Sequence, residues 1–281
     1  MAETPFASAK HAQAAFPHAR RLAHGVDIDA ALAEIRALPG TGWAPHFNLA
    51  KHNGGWHVAA LRSTDRSSVP GAPGEYTADL YQDGPAMARC PAIRALVTAM
   101  AGDAPLKSVR VLRLDAGGVI LEHTDAGVGL RSAEVRMHLP LVTHDEVFFY
   151  VGGERVPMRP AEWWYADFSL PHRVVNRSAT DRLHLVVDCE ATPRLRDAIA
   201  AGDAGMDYPP EQDPQWRFAR FREQVFAEPA LQDHLLGIHS REAFAEACIE
   251  LGEARGWTFT EAEVLSAMAS GRQAWMQQWV V

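Results

Sequence analysis

Between residues 108 and 188 the chain is a succession of short strand-like runs: 108–114, 119–122, 133–142, 146–151, 162–166, 172–176 and 182–188. Turn chemistry separates them, most clearly Asp115-Ala-Gly117-Gly118 and Gly152-Gly153. Many short strands with frequent turns predict an antiparallel barrel or sandwich, a mainly β core.

The flanks read differently. Ile28, Leu32, Ile35 and Leu38 recur at helical spacing over 27–38, and Pro39-Gly40 ends that run. Residues 55–62 predict a strand, and 63–78 a polar, glycine-rich loop. A second helix is expected over 85–100, with Met87, Ile93, Leu96, Val97 and Met100 on its apolar side. After about residue 190 the strand pattern stops. A polar, proline-containing stretch leads to a helical pattern that starts at 215. Ser240 is placed to cap a helix running through Phe244, Ala247, Cys248 and Leu251. Thr260-Glu-Ala-Glu263 fits a capping box, Phe259 with Val264 fits the hydrophobic staple around it, and Gly256 separates the two helices. The expected organisation is a β domain with N-terminal helices over 1–195, a linker over 196–214 and a small helical domain over 215–281.

Composition narrows the function. The 281 residues are 47% apolar, enough for a substantial core. A net charge of -8 argues against nucleic acid as a partner, since phosphate-binding surfaces need clustered Lys and Arg. The three cysteines, Cys90, Cys189 and Cys248, are far apart and form no CxxC pair, so they predict buried, reduced thiols rather than a zinc site or a disulfide framework. The first residues mix charge with alanine and contain no apolar signal core, and no run approaches a membrane span. A cytoplasmic protein is the expectation.

His123-Thr-Asp125, with His172 beyond it, supplies two imidazoles and a carboxylate. That ligand set suits a non-haem Fe(II) site with open positions for a chelating oxo acid and O2. In an extended segment residues two apart lie on one side, so His123 and Asp125 can reach one ion, and an antiparallel barrel can deliver His172 from a later strand. H-x-D by itself is common, and thirteen histidines make a third partner easy to find.

Two strands carry cations among apolar residues. Arg136, His138 and Pro140 share one face of 133–142, and Arg182, His184 and Val186 share one face of 182–188. Arginines lining one cavity can hold both ends of a dicarboxylate; the alternative is an exposed face with surface salt bridges. Arg113 either binds substrate or pairs with Asp115. Trp56, His57, Trp164 and Tyr150 are candidate pocket residues, with core packing as the alternative. Trp163 and Trp164 cannot both face inward on a strand.

The segments RLDAGGVILEHTD, EVRMHLPLV, EWWYADFSLPHRVVN and DRLHLVVD agree in order and spacing with the aspartyl/asparaginyl beta-hydroxylase family, which the chain resembles over roughly 50–195. The resemblance implies a double-stranded β-helix (jelly-roll, cupin-like) core and an Fe(II)/2-oxoglutarate-dependent dioxygenase. It implies His123, Asp125 and His172 as iron ligands, Arg182 on the distal carboxylate of 2-oxoglutarate, and Arg136 and His138 at the cosubstrate end near the metal. Retention of Asp125 resembles the bacterial branch that includes the cis-hydroxylases of free L-proline. The implied reaction is hydroxylation of an aliphatic C–H of an amino acid or amino-acid-containing small molecule, with succinate and CO2 as coproducts. Alternatives are a hydroxylase of a peptide, protein or lipid headgroup, and a non-catalytic metal- or ligand-binding cupin-like protein. The tail, FAEPALQDHLLG and EAFAEACIELGEARGWTFTEAEV, resembles leader-peptide domains of nitrile-hydratase-like and nitrogen-fixation-like precursors. It implies either a peptide-docking module or a helical buttress.

Overall fold

A computed structural model describes residues 17–64, 77–203, 214–261, 263–265 and 267–268. The chain divides into two compact units, Met1–Gly205 and Met206–Val281. Most of the loop expected over 63–78 lies outside the described residues.

The first unit holds twelve strands among its described residues: β1 (Ala19–Ala23), β2 (Ala44–Pro45), β3 (Trp56–Thr64), β4 (Tyr81–Asp83), β5 (Leu106–Leu114), β6 (Val119–His123), β7 (Glu134–Val142), β8 (Val147–Val151), β9 (Glu154–Arg155), β10 (Trp163–Ala166), β11 (His172–Asn176) and β12 (Arg182–Glu190). The pairings are antiparallel. The larger sheet runs β1-β10-β7-β12-β5-β3-β2, with β4 beside β3; the smaller runs β6-β11-β8-β9. Three helices accompany them: α1 (Asp29–Arg36), α2 (Pro91–Ala101) and α3 (Pro193–Ala201). This is a mixed α/β fold around a jelly-roll, cupin-like double sheet.

The period-2 rule sorts the side chains into two cores. Val135, Met137, Leu139, Leu185, Val187, Val109 and Val111 face away from the small sheet. They pack with Ala31 and Ile35 of α1, Ile93 and Val97 of α2, and Leu195 and Ile199 of α3. The alternate residues Trp56, Val58, Leu112, Leu114 and Val186 face the small sheet's Ile120, Val147, Phe149, Val151 and Val174. Trp163 belongs to the first core and Trp164 to the second, as their adjacency on one strand requires.

Pro140 stands inside β7, where a proline cannot donate to the ladder. The ladder accommodates it with an irregularity: Leu183 pairs with Val142 and His184 with Pro140, leaving Leu141 as an extra residue. Residues 196–201, expected in the linker, instead continue α3, which Thr192 caps by accepting the Leu195 N–H. The short strands β2, β4 and β9 carry only two or three residues each, too few to show a period.

The second unit contains α4 (Pro214–Ala227), α5 (Pro229–Leu236) and α6 (Arg241–Glu253). Phe218, Phe221, Leu235, Ala245, Cys248, Phe259 and Val264 form its core. Ser240 caps α6 by accepting the Ala243 N–H. Glu263 reaches back to the Thr260 N–H at 2.8 Å, one arm of the expected capping box, and Phe259 and Val264 are buried in the same core, as the staple requires. No helix among the described residues is long and apolar enough to cross a membrane. Cys90, Cys189 and Cys248 are free and buried.

The turn before β6 aims the strand that ends at His123. Gly117 there has φ +71°, and a Cβ on Gly118 would meet the Asp115 carbonyl oxygen at 2.7 Å and Leu114 Cδ1 at 2.6 Å. Gly117→Ala is expected to cost about 1 kcal/mol, the usual penalty for a left-handed non-glycine residue. Gly118→Ala is expected to cost more, because backbone must move. Urea unfolding measures both as a lower midpoint at unchanged slope; a Gly118→Ala variant as stable as the parent would contradict the assignment.

Candidate metal centre

Pairing of β6 with β11 makes neighbours of residues far apart in sequence: His123 is the register partner of His172. Their ring centroids are 4.2 Å apart. Asp125 lies just past the end of β6, where its backbone N–H donates to the Phe168 carbonyl at 2.9 Å. A loop contact therefore places the carboxylate, not strand alternation. Asp125 Oδ1 stands 3.7 Å from His123 Nε2, and one ligand atom from each of the three residues lies within 4.8 Å of the others. A single divalent ion can be reached by all three.

The ring nitrogens are set for that task. His123 Nδ1 is 2.7 Å from the Leu121 carbonyl, and His172 Nδ1 is 3.0 Å from the Leu170 carbonyl. A carbonyl only accepts, so each Nδ1 carries the proton and donates. Each Nε2 keeps its lone pair for a metal. Burial pushes His172 down to about 4, so its ring is neutral at physiological pH. Burial by itself would raise the Asp125 carboxyl, but its neighbours together, the Arg136 guanidinium foremost, hold the pKa below the usual value. Two imidazoles and an ionised carboxylate, with no thiolate, fit a borderline ion such as Fe(II).

Behind Asp125 runs a buried ionic chain. Arg136 Nη1 donates to Asp125, and its Nε and Nη2 donate to Asp188 at 2.7 and 3.1 Å. Asp188 also accepts from Arg110 Nη1 at 2.7 Å, and that nitrogen donates to Ser108 Oγ at 2.6 Å. Asp188 is fully buried, which alone would raise its pKa; the two guanidiniums instead hold it far below the carboxylate range. Two arginines and two carboxylates thus balance.

Arg182 has no such balance. It is 1% exposed, its guanidinium sits 5.5 Å from the Phe149 ring centre, and its hydrogen-bond partner among the described residues is a neutral acceptor, His184 Nδ1 at 2.7 Å. Arg182 Nε has no partner. Burial alone pulls its pKa down to about 9. An arginine buried without a carboxylate is costly unless an anion arrives. It lines the same cavity as His123, Asp125, His172, Arg136 and His138. His138 stacks on Phe168 at 4.8 Å, and its buried Nε2 has no partner.

The weaker candidates separate. Trp56 lines this cavity, stacked on His46 at 3.4 Å. Trp164 does not line it; it is fully buried and donates to Glu162 at 2.9 Å. Arg113 and His57 alternate with the cavity-facing residues of their strands and so point away from it. Both contact Asp115, at 2.9 and 3.2 Å, and Arg113 also lies 5.4 Å from the Trp43 ring centre. Tyr150 points away as well, with the Arg173 guanidinium 3.9 Å from its ring centre. Asp188, Arg110 and Phe168 were not singled out from sequence. A signal existed for two of them: Asp188 continues the alternation Arg182, His184, Val186, and Arg110 interrupts Val109 and Val111 on the inward face.

A double sheet enclosing a His-Asp-His cluster defines a cupin-like protein with an oxygenase-type metal triad. The chain matches the Aspartyl/Asparaginyl beta-hydroxylase family over residues 27–192, more than half its length, and belongs to that family. It is 32% identical over 87 residues to the L-proline cis-4-hydroxylase of Rhizobium meliloti (strain 1021), a match that spans only 31% of either chain. Among solved structures it is similar to a 2OG-Fe(II) oxygenase family oxidoreductase from Burkholderia pseudomallei (15% identity, TM-score 0.39, covering 56% of this chain and 76% of that one). It is also similar to the viral collagen prolyl hydroxylase of Paramecium Bursaria Chlorella virus-1 (8% identity, TM-score 0.38, covering 63% and 97%). The likeness of the tail to leader-peptide domains finds no support in these matches, and the family match ends before it.

Asp188→Asn would leave Arg110 and Arg136 buried with Asp125 as their remaining carboxylate. The expected loss is about 3–5 kcal/mol, the cost of breaking a buried ion pair from one side. Equilibrium unfolding of the metal-free protein measures it, and a loss under ~1 kcal/mol, the scale of a surface pair, would contradict the ionic chain.

Proposed function

We propose that this chain is an Fe(II)- and 2-oxoglutarate-dependent hydroxylase acting on an aliphatic C–H of an amino acid or an amino-acid-containing small molecule, with succinate and CO2 as coproducts. The observation that carries this reading is Arg182, a buried cation without a carboxylate of its own, lining the cavity of the metal triad.

His123 and His172 would bind iron through Nε2, and Asp125 would bind through its carboxylate. When bound, the iron with its oxo-acid cosubstrate would activate dioxygen, the oxidant that no side chain here can replace, with one oxygen atom going to the substrate C–H and the other to succinate. The residues bind, orient and shield. Arg182 receives the distal carboxylate of the diacid through its fork of donors. Arg136, already committed to Asp125 and Asp188, fixes the ligand carboxylate in place. The Phe149, Phe168, Leu112 and Val174 walls exclude water from the space between. No general base is required among these side chains.

The amino-acid substrate class is supported by the partial match to a proline hydroxylase. A second reading, a peptide substrate held through the helical unit, is favoured by one observation. Phe218, Phe221, Val225, Leu235 and Phe244 line an apolar cavity of about 310 Å3 in that unit. A screen of free amino acids against short peptides, read as succinate formation coupled to one added oxygen atom in the product, separates the two.

His172→Ala is expected to abolish metal retention and succinate formation together; succinate formation at the parental rate would refute its role as ligand. Arg182→Ala is expected to retain the metal but to raise the 2-oxoglutarate requirement roughly 30-fold or more, the cost of removing one partner from a buried charged contact. An unchanged requirement would refute the anchor.

A further inference from the structure

Arg182 and His184 are alternate residues of β12 and share its inward face. A guanidinium has no acceptor, so across the 2.7 Å contact Arg182 donates and His184 Nδ1 accepts. The His184 proton therefore sits on Nε2, which is buried without a partner. His138 Nδ1 lies 3.3 Å from the same His184 nitrogen. Burial, and after it the Arg182 charge, keeps His184 from protonating. Its place is fixed by the ladder irregularity at Leu141, where it faces Pro140 instead of a regular partner.

The contrast with Asp188 gives this contact its meaning. A carboxylate beside a buried arginine consumes its charge, as Asp188 does for Arg110 and Arg136. An imidazole acceptor fixes the guanidinium's direction and leaves its charge unspent. We propose that His184 is the positioning residue of the diacid site: it aims the Arg182 fork into the cavity without neutralising it, so that the charge is kept for an incoming dicarboxylate. This rests on the reading of Arg182 as the cosubstrate anchor.

The test is calorimetric titration of 2-oxoglutarate into the full-length protein loaded with Mn(II), with no turnover. His184→Gln, which can still accept from Arg182, is expected to bind within ~3-fold of the parent, and His184→Leu about 10-fold more weakly, the scale of one lost hydrogen bond to a charged group. His184→Asp installs a competing carboxylate and is expected to weaken binding on the order of 100-fold, the scale of a buried ion pair that must be broken. Its thermal midpoint should hold or rise, and Mn(II) affinity should stay at the parental value in all three. Parental affinity for 2-oxoglutarate in His184→Asp, or equal affinity in the Gln and Leu variants, overturns the proposal. If His184→Asp does not fold, the Gln and Leu pair decides alone. A parent protein that fails to bind 2-oxoglutarate fells the anchor reading itself, whereas a binding parent with indifferent variants fells only the role of His184.

Discussion

Antiparallel pairing of β6 with β11 is the constraint on which the site depends. It sets His123 against His172 and leaves Asp125 at the strand's end, close enough for three ligand atoms to lie within 4.8 Å. The pairing is enforced from both sides. Ile120 and Val174 are buried between the sheets, and a slip of one residue would turn them outward together with both histidines. The glycine turn at 117–118 launches one strand, and the β8 ladder holds the other over five residue pairs.

Around that pairing the interior divides its charge into two parts. Arg110, Arg136, Asp125 and Asp188 form a neutral set whose members satisfy one another, which rigidifies the carboxylate end of the triad. Arg182 is left outside the set, with an imidazole where a carboxylate would have completed it. The first part builds a stable wall; the second leaves a site that is electrostatically incomplete. In the proposed reading, stability and binding thus fall to different arginines. Neither His184 nor Asp188 is interchangeable with the other in this scheme, though they stand four residues apart on one strand.

Much of this was legible in the sequence. The strand runs between 108 and 188 were, because short apolar runs of strand length are separated by turn residues such as Asp115-Ala-Gly117-Gly118 and Gly152-Gly153. The triad and the cationic faces were too, because charges repeated at every second position of an apolar strand stand out. The opposed placement of Trp163 and Trp164 followed from adjacency alone. Other features had no local signature. The strand β1 is defined by a partner distant in sequence, β10, and the Leu121 and Leu170 carbonyls that fix the histidine tautomers are backbone groups that every residue possesses. Arg113 and His57 were drawn toward the pocket by their chemistry, whereas strand phase puts them on the opposite face with Asp115. Trp164, inward as its phase allows, ends on Glu162 and not on the cavity.

The central claim is that one divalent ion and one diacid share this cavity, the first on His123, Asp125 and His172 and the second reaching Arg182. Two ligands that touch each other must bind with positive linkage, each raising the affinity of the other by the same factor. The direct measurement is the affinity for 2-oxoglutarate in the absence and in the presence of saturating Mn(II), paired with the affinity for Mn(II) with and without 2-oxoglutarate. The account predicts tighter binding by an equal factor in both directions, and loss of that coupling in His123→Ala. Binding of 2-oxoglutarate that ignores the metal would contradict it.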